Sequence, residues 1–299
     1  MNKYLPPLAV ILAAFLWSLD GFLRQELYTL SAFLIVTLEH GLGALVLFPV
    51  LYRGRQEIFS INQRTWVSVI WISVCGGILG TFFYTKALSY VQYIDLSVVV
   101  LLQKFQPLFA IGLAAVILKE PITHRFIGLA GLALIGGYLV TFGGQPFSAW
   151  DDKTIIAALL ALLAAFSWGS STVLGKHALR RLSYPVVTAL RLLVTFIVAA
   201  VVLASLHSVS LVADITLRQW AFILAIVFST GMVALFIYYY GLNRIPASHA
   251  TLYELMWPLS AVALDYFVRD RSLTLTQLFG AGLLLMAIIL LPREQPSDG

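Results

Sequence analysis

Charged residues are scarce in this sequence. They account for 11% of the 299 residues, whereas hydrophobic residues account for 60%, and the mean hydropathy is +0.92. A soluble domain typically carries about 25% charged residues. The composition therefore excludes an ordinary soluble protein and predicts an integral membrane protein that is surrounded by lipid.

Cysteine is almost absent as well. The one cysteine, Cys75, lies within an apolar run, so the sequence predicts no intrachain disulfide and no cysteine-based metal site. The sequence also lacks a phosphate-binding glycine-rich loop, a His-Glu-x-x-His zinc motif and a nucleophile elbow. These absences predict no metal, no cofactor and no enzymatic activity, and they argue against ATP as the energy source.

Ten long apolar stretches, separated by short loops, make up nearly the whole chain. A membrane-spanning helix needs about 20 mostly apolar residues, and no segment between the stretches is long enough for a separate soluble domain. We predict an all-α integral membrane protein with ten transmembrane helices. Their predicted limits are 5–24, 31–51, 65–87, 94–118, 124–142, 154–176, 184–206, 217–241, 247–268 and 274–292.

The positions of the basic residues predict the orientation in the membrane. More of the 19 Lys and Arg residues fall on the cytoplasmic side when the N-terminus is placed there than when it is placed outside. The positive-inside rule therefore favours both termini in the cytoplasm. The first apolar stretch is full length and no cleavage site follows it, so we expect no cleaved signal peptide. We expect the chain in the cytoplasmic membrane of a bacterium or an archaeon.

The two halves of the chain resemble each other at an offset of about 151 residues. Phe15–Ser18 matches Phe166–Gly169, and each half, residues 1–148 and 149–299, holds five predicted helices. An odd number of helices places the second half in the membrane upside down relative to the first. Inverted repeats of this kind are typical of secondary transporters, which bind their substrate near the midplane where the halves meet.

The aromatic-rich first helix of each half and the segment after the fourth helix resemble the drug/metabolite transporter superfamily, EamA type. In that segment Pro107 is followed about a dozen residues later by Lys119-Glu120-Pro121-Ile122-Thr123, whereas the second half has Arg269–Thr274 in the equivalent place. The resemblance covers roughly residues 6–292. It implies a basket of ten helices around a central cavity, alternating access, and small organic substrates that are often exported.

The ninth predicted helix carries side chains that are costly at the centre of a bilayer. His249, Tyr253 and Trp257 are spaced four residues apart and share one face of a helix, and Glu254 lies next to that face. A carboxylate at this depth costs roughly 2.5 kcal/mol or more, so it normally faces a cavity or a partner. We therefore predict that this helix, which Pro258 bends, forms one wall of a binding site.

Polar and aromatic residues of other helices are candidates for the remaining walls. Trp17 and Trp168 occupy matching positions in the two halves, and Lys104 lies at a depth similar to that of Glu254. We expect Lys104 and Glu254 to neutralise each other or to hold a zwitterion between them. The predicted substrate-binding residues are Trp17, Tyr84, Gln103, Lys104, Trp168, His249, Tyr253, Glu254 and Trp257.

Glu39, His40 and Arg191 are candidates for proton coupling or gating. Glu39 and Arg191 hold corresponding positions in the second and seventh helices, so an ion pair between the halves is one hypothesis. Such a pair is either structural or a gate, and Glu39 and His40 are alternatively proton acceptors. Asp20 is expected to pair with Arg24 one turn later.

Glycines cluster in three of the predicted helices. Small residues let helices approach closely in lipid, so we expect them to be structural. They are Gly76, Gly77 and Gly80 in the third helix, Gly128, Gly131, Gly136 and Gly137 in the fifth, and Gly280 and Gly282 in the tenth.

Together these features predict a secondary transporter of small polar metabolites that works by alternating access as an exporter or exchanger. Amino acids are the favoured substrates, because the predicted cavity combines aromatic faces, which attract cations, with charges of both signs. Nucleobases or other flat heterocycles, and quaternary amines, are the alternatives. An intramembrane enzyme or a non-transporting scaffold is the alternative from another class. The expected partners are a small-molecule substrate and the lipid bilayer, with protons as a further candidate; no nucleic acid is expected, and monomer and homodimer are both open.

Overall fold

The structure, a computed structural model, describes residues 3–27, 29–88, 102–103, 105–142, 152–205, 214–269 and 273–291. These ranges contain fifteen α-helices and no strand, so the predicted all-α fold is confirmed. The helices are α1 Leu5–Gln25, α2 Ala32–Val46, α3 Phe48–Arg53, α4 Arg55–Ser60, α5 Gln63–Val74, α6 Gly80–Leu88, α7 Gln106–Leu113, α8 His124–Phe142, α9 Asp152–Leu179, α10 Tyr184–Ser205, α11 Leu217–Val227, α12 Met232–Leu242, α13 Ala247–Tyr253, α14 Met256–Arg269 and α15 Leu275–Leu290.

Two π-helical turns continue these helices, Cys75–Leu79 between α5 and α6 and Ala114–Leu118 after α7. Six helical stretches in the described ranges are long and apolar enough to cross a membrane. They are Leu5–Gln25, Gln63–Ala87, His124–Thr141, Ile155–Leu179, Tyr184–Ser205 and Leu217–Leu242. Phe33–Val46, Gln106–Leu118 and Leu275–Leu290 are shorter apolar helices.

The predicted ninth helix, 247–268, is broken into α13 and α14. Pro258 has no N–H to donate to the carbonyl of Glu254, and that carbonyl accepts instead from the N–H of Trp257 at 3.0 Å. Glu254 and Leu255 lie between the two helices, and the backbone of Glu254 stays in the right-handed helical region.

The packing of the helices reflects the two halves. α2 lies along α10, and α8 lies along α15, so each of these pairs joins a helix of one half to its counterpart in the other. Likewise α1 contacts α12 and α14, while its counterpart α9 contacts α6 and α7. These contacts are exchanged by a pseudo-two-fold axis between the repeats. The predicted boundary between residues 148 and 149 lies outside the described residues and, like the orientation of the termini, stays a prediction.

Gly136 and Gly280 bring α8 and α15 into backbone contact. A Cβ on Gly136 would lie 2.7 Å from the amide N of Leu284 and 2.8 Å from the carbonyl O of Gly280. By contrast, a Cβ on Gly128, Gly131 or Gly282 would have no neighbour within 4 Å among the described residues. The expected packing role therefore applies to only part of the glycine set.

We expect Gly136→Ala to lower stability by about 1–3 kcal/mol, because the added Cβ overlaps backbone atoms that cannot turn aside. Gly131→Ala, on the same helix, is the matched control, and it should be neutral or stabilising by up to about 1 kcal/mol because alanine favours the helix. Melting temperatures of the two variants in detergent measure the difference. An equal decrease in both would show that backbone contact is not the cause.

Candidate functional site

A cavity of about 600 Å³ lies between the two halves of the bundle. Its walls come from α1, α2, the π-turn Cys75–Leu79, α6 and α7 on one side and from α9, α10, α12, α13 and α14 on the other. It reaches from Arg24 and Thr85, at the ends of α1 and α6, to Tyr238 and Thr251 deeper in the bundle. A volume of this size is typical of a small-molecule site.

Most of the predicted binding residues line this cavity. They are Trp17, Tyr84, Gln103, Trp168, Glu254 and Trp257, together with the gating candidates Glu39, His40 and Arg191. Lys104 lies outside the described residues.

His249 and Tyr253, which are also predicted to bind substrate, do not line the cavity. The His249 ring stacks on Phe126, with centroids 5.1 Å apart and planes 9° apart, and Tyr253 is fully buried in the core. These two predicted binding residues therefore do not line the cavity with Trp257. The cavity is lined instead by Thr251, Glu254, Leu255 and Pro258, which share a neighbouring face of the segment.

Glu254 is the centre of a hydrogen-bond cluster at the deep end of the cavity. Its Oε2 accepts from Gln106 Nε2 at 2.7 Å, and its Oε1 accepts from the hydroxyls of Tyr238 at 2.6 Å and Thr172 at 3.3 Å. Gln103 in turn donates to Gln106 Oε1 at 3.3 Å. The carboxylate is thus held in one position by both halves of the protein.

Sequence reasoning did not include Gln106, Thr172 or Tyr238 in the predicted set. Gln106 precedes Pro107, so its position was a usable signal. Tyr238 stands in a run of three tyrosines, Tyr238 to Tyr240, and nothing in the sequence distinguishes the one that reaches Glu254. Thr172 carries no signal, because threonine is common inside transmembrane helices.

Aromatic rings form the sides of the cavity. The Trp17 ring lies against the Tyr238 ring with centroids 5.1 Å apart, and Tyr84 lies against Trp168 with centroids 5.7 Å apart. Gly80 allows the second pair, since a Cβ there would lie 2.5 Å from Nε1 of Trp168. The two tryptophans that match in the repeats therefore each belong to an aromatic pair at the cavity wall.

A partly buried ionic cluster lies at the Arg24 end of the cavity. Arg24 pairs with Asp20, as expected, and its Nη2 donates to Glu39 Oε2 at 2.7 Å. Thr230 donates to the other oxygen of Asp20 at 2.6 Å. The Glu39 side chain is only 7% exposed, so Arg24 is the group that compensates its charge.

The predicted ion pair between Glu39 and Arg191 is not formed. Nη1 of Arg191 donates to the hydroxyl of Tyr239 at 2.9 Å, and a Cβ on Gly76 would lie 2.9 Å from its Nη2. The repeat places the two residues at matching positions, but the side chains turn to nearer partners on α1 and α12. His40 lies beside Glu39 on α2, and its Nδ1 is 2.9 Å from the carbonyl O of Val36.

At the opposite end of the bundle, Glu120 of the first half contacts the start of α13 in the second half. Glu120 accepts from the backbone N–H of Ala247 at 2.7 Å and of Ser248 at 2.9 Å, and from the Ser248 hydroxyl at 2.6 Å. Within the second half, Lys176 donates to the carbonyls of Leu242 and Asn243, each at 2.9 Å.

Glu120→Ala should therefore destabilise the observed conformation by about 1–2 kcal/mol, because Glu120 caps the N-terminus of α13. The matched control is Glu26→Ala, which removes the exposed pair between Glu26 and Arg218 at the other end of the bundle and should cost about 0–1 kcal/mol. Melting temperatures give both values. If Glu26→Ala were the more damaging variant, the contacts of Glu120 with α13 would not be what stabilises this end of the bundle.

The comparison with known families and proteins agrees with this architecture. A family model described as the EamA-like transporter family matches residues 5–142 and again residues 155–292. A solved crystal structure superposes with a TM-score of 0.75 at 20% identity, covering 98% of this chain and 99% of its own, and therefore has the same fold.

Two curated relatives are similar over most of their length. The riboflavin transporter ImpX of Fusobacterium nucleatum subsp. nucleatum is 36% identical over 287 residues, which cover 94% of this chain and 95% of that protein. The pseudopaline exporter CntI of Pseudomonas aeruginosa is 26% identical over 229 residues, which cover 76% of this chain and 74% of that protein.

Proposed function

Because the chain belongs to the EamA-like transporter family, we propose that it is a secondary transporter that carries a flat heterocycle of the flavin class across the membrane. The observation that carries this proposal is the arrangement of aromatic rings around Glu254 in the central cavity. The 36% identity to a protein named a riboflavin transporter supports the same choice.

Flat rings suit the aromatic walls of the cavity. Stacking of a heterocycle on an aromatic side chain contributes about 1–3 kcal/mol per ring in nucleic-acid complexes and needs no charge on the ligand. Trp17, Trp168 and Trp257 all line the cavity and offer such surfaces. A tricyclic ring system would gain more from them than a compact amino acid.

Glu254 is suited to accept a ring N–H. An ionised carboxylate has about four acceptor positions, and three are occupied by Gln106, Tyr238 and Thr172. One position is left for a substrate donor such as the imide N–H of a flavin. The ring carbonyls beside that N–H would accept from the amides of Gln103 and Gln106, which lie next to the carboxylate.

The amino-acid hypothesis has less support than it had from the sequence. In the part of the chain that the structure describes, the hydrogen-bond donors to Glu254 are neutral groups. The cation expected beside Glu254 is Lys104, which the described residues do not include; the described Arg191 lines the same cavity and donates to Tyr239. The heterocycle alternative needs only groups that are described.

A thermal-shift and fluorescence titration tests the proposal. Riboflavin should raise the melting temperature of the detergent-purified protein, since a ligand present at 100 times its Kd stabilises the folded state by about 2.7 kcal/mol. Its fluorescence should also be quenched on stacking with tryptophan, and Trp168→Leu should reduce the quenching. Stabilisation by zwitterionic amino acids with no effect of riboflavin would restore the amino-acid hypothesis and contradict this one.

Further features of the transport cycle stay predictions. Export or exchange is the expected direction, and Glu39, His40 and Glu254 are the candidates for proton coupling. Solute counterflow in proteoliposomes, with and without a pH gradient, measures both. Oligomeric state and the absence of enzymatic activity are likewise expectations.

A further inference from the structure

A second pocket, of about 260 Å³, opens beside the central cavity between α2 and α6. We call it the side pocket. Its lining is mainly apolar, with Phe33 on α2, Ile78 on the π-turn and Phe82 on α6, and Lys86 lies at its end. The transport mechanism proposed above does not use it.

The side pocket is a gap between two helical segments that both pack against α10. α2 packs along α10, and so does α5 with its π-turn. Val36 and Ile78 meet Ala199 of α10 at the floor, while the Phe33 and Phe82 rings stand 6.3 Å apart at the rim. The result is a cleft whose open side faces away from the protein core.

The cleft lies on the stretch Gln63–Ala87, which is long and apolar enough to cross a membrane and contains most of the lining. Phe82 on that stretch is 43% exposed, so the cleft faces lipid when the protein is in a membrane. Lys86 is in the last turn of that stretch, where the helix reaches the membrane surface. From Lys86 to Ile78 the cleft follows about 12 Å of helix, from the headgroup region into the hydrocarbon.

We propose that the side pocket binds one acyl chain of an anionic phospholipid, with the lipid phosphate at Lys86. The positive charge of Lys86 and the apolar lining below it match the phosphate and the acyl chain of such a molecule, because a lysine ammonium forms charge-assisted hydrogen bonds with a phosphate. Val36, Thr81 and Thr85 line both the side pocket and the central cavity. The bound acyl chain therefore lies directly behind one wall of the substrate site.

Photo-labelling tests this assignment independently of the substrate. The full-length protein is reconstituted in vesicles of phosphatidylethanolamine and phosphatidylglycerol that contain a phosphatidylglycerol with a diazirine at the end of one acyl chain. Illumination and peptide mapping should locate the label on residues 33–36 and 78–86. Ile78→Trp, which fills the pocket, should abolish it, and Ile70→Trp should not, because Ile70 is exposed to lipid two turns away.

A second variant tests the proposal even if Ile78→Trp fails to fold. Lys86→Glu changes an exposed side chain and should reduce labelling of the same peptides by about fivefold or more, because it replaces an attractive charge with a repulsive one. Labelling that is unchanged in both variants, or spread evenly over all lipid-facing helices, would overturn the proposal. Loss of labelling on addition of riboflavin would also overturn it and would identify the cleft as a lateral path for the substrate.

Discussion

Glu254→Gln is expected to weaken substrate binding by about 10- to 100-fold, because hydrogen bonds to a charged group contribute about 1.5–3 kcal/mol. The variant should still fold. The glutamine has the same size, and its carbonyl can accept from Tyr238 and Thr172. The amides of Gln106 and Gln103 can turn together, so that Gln106 presents its oxygen to the new NH2 group and donates to the oxygen of Gln103. The loss should therefore appear in affinity and not in the melting temperature without ligand.

Riboflavin fluorescence titration and thermal shift measure the two effects separately. Tyr238→Phe is the matched control, because it removes one donor to Glu254 and keeps the carboxylate. Its loss of affinity should be smaller, about 2- to 10-fold, because the carboxylate that contacts the substrate stays and only one of the hydrogen bonds that position it is removed. A Glu254→Gln variant that binds riboflavin normally but melts early would show that Glu254 is structural.

The same variant also examines proton coupling. An amide resembles a protonated carboxyl group and cannot release a proton. If Glu254 carries the coupled proton, Glu254→Gln proteoliposomes should lose the response to a pH gradient while still exchanging substrate at saturating concentration. A response that persists would transfer the role to Glu39 or His40.

The sequence predicts the architecture better than it predicts the directions of the side chains. The number of apolar stretches, the repeat at about 151 residues and the polar ninth helix all follow from hydropathy and spacing. These features depend on burial in lipid, which acts on whole segments. For the same reason Glu254 and Trp257 could be selected from sequence as candidates for the cavity wall.

The directions of the side chains in the ninth helix are predicted less well. His249 and Tyr253 are both buried, whereas Thr251, Glu254, Leu255 and Pro258 share the face that lines the cavity. Hydropathy does not show which of these neighbouring faces turns inward, because both carry polar or aromatic residues. The π-turn at Cys75–Leu79 adds a second difficulty, since it shifts the helical phase of the third helix and no proline marks it in the sequence.

The prediction of an ion pair between Glu39 and Arg191 is wrong for a different reason. The repeat relates Glu39 to Arg191, but symmetry fixes only the positions of the backbones. Which of two nearby guanidinium groups reaches a carboxylate depends on side-chain length and on competing acceptors. Arg191 donates a hydrogen bond to the hydroxyl of Tyr239, whereas Arg24 forms ion pairs with both Asp20 and Glu39.

Arg24→Met should lower stability by about 3 kcal/mol, because removal of one partner leaves the carboxylate of Glu39 buried without compensation. The value lies at the lower end of the range for buried pairs, since the Arg24 side chain is 33% exposed toward the cavity. Asp20 would lose its partner too, although Thr230 still donates to it. Urea or thermal unfolding in detergent measures the loss.

A double-mutant cycle then separates a structural role of this pair from a role in transport. Arg24→Met combined with Glu39→Gln removes both charges, so most of the lost stability should return. The control is Arg218→Met, at the exposed pair with Glu26, which should cost about 0–1 kcal/mol. If the double variant is stable and transports normally, the pair only holds α1 and α2 together. If it is stable but binds substrate without transporting it, the cluster is part of the conformational cycle. A double variant that is no more stable than Arg24→Met would show that the two residues do not act as a pair.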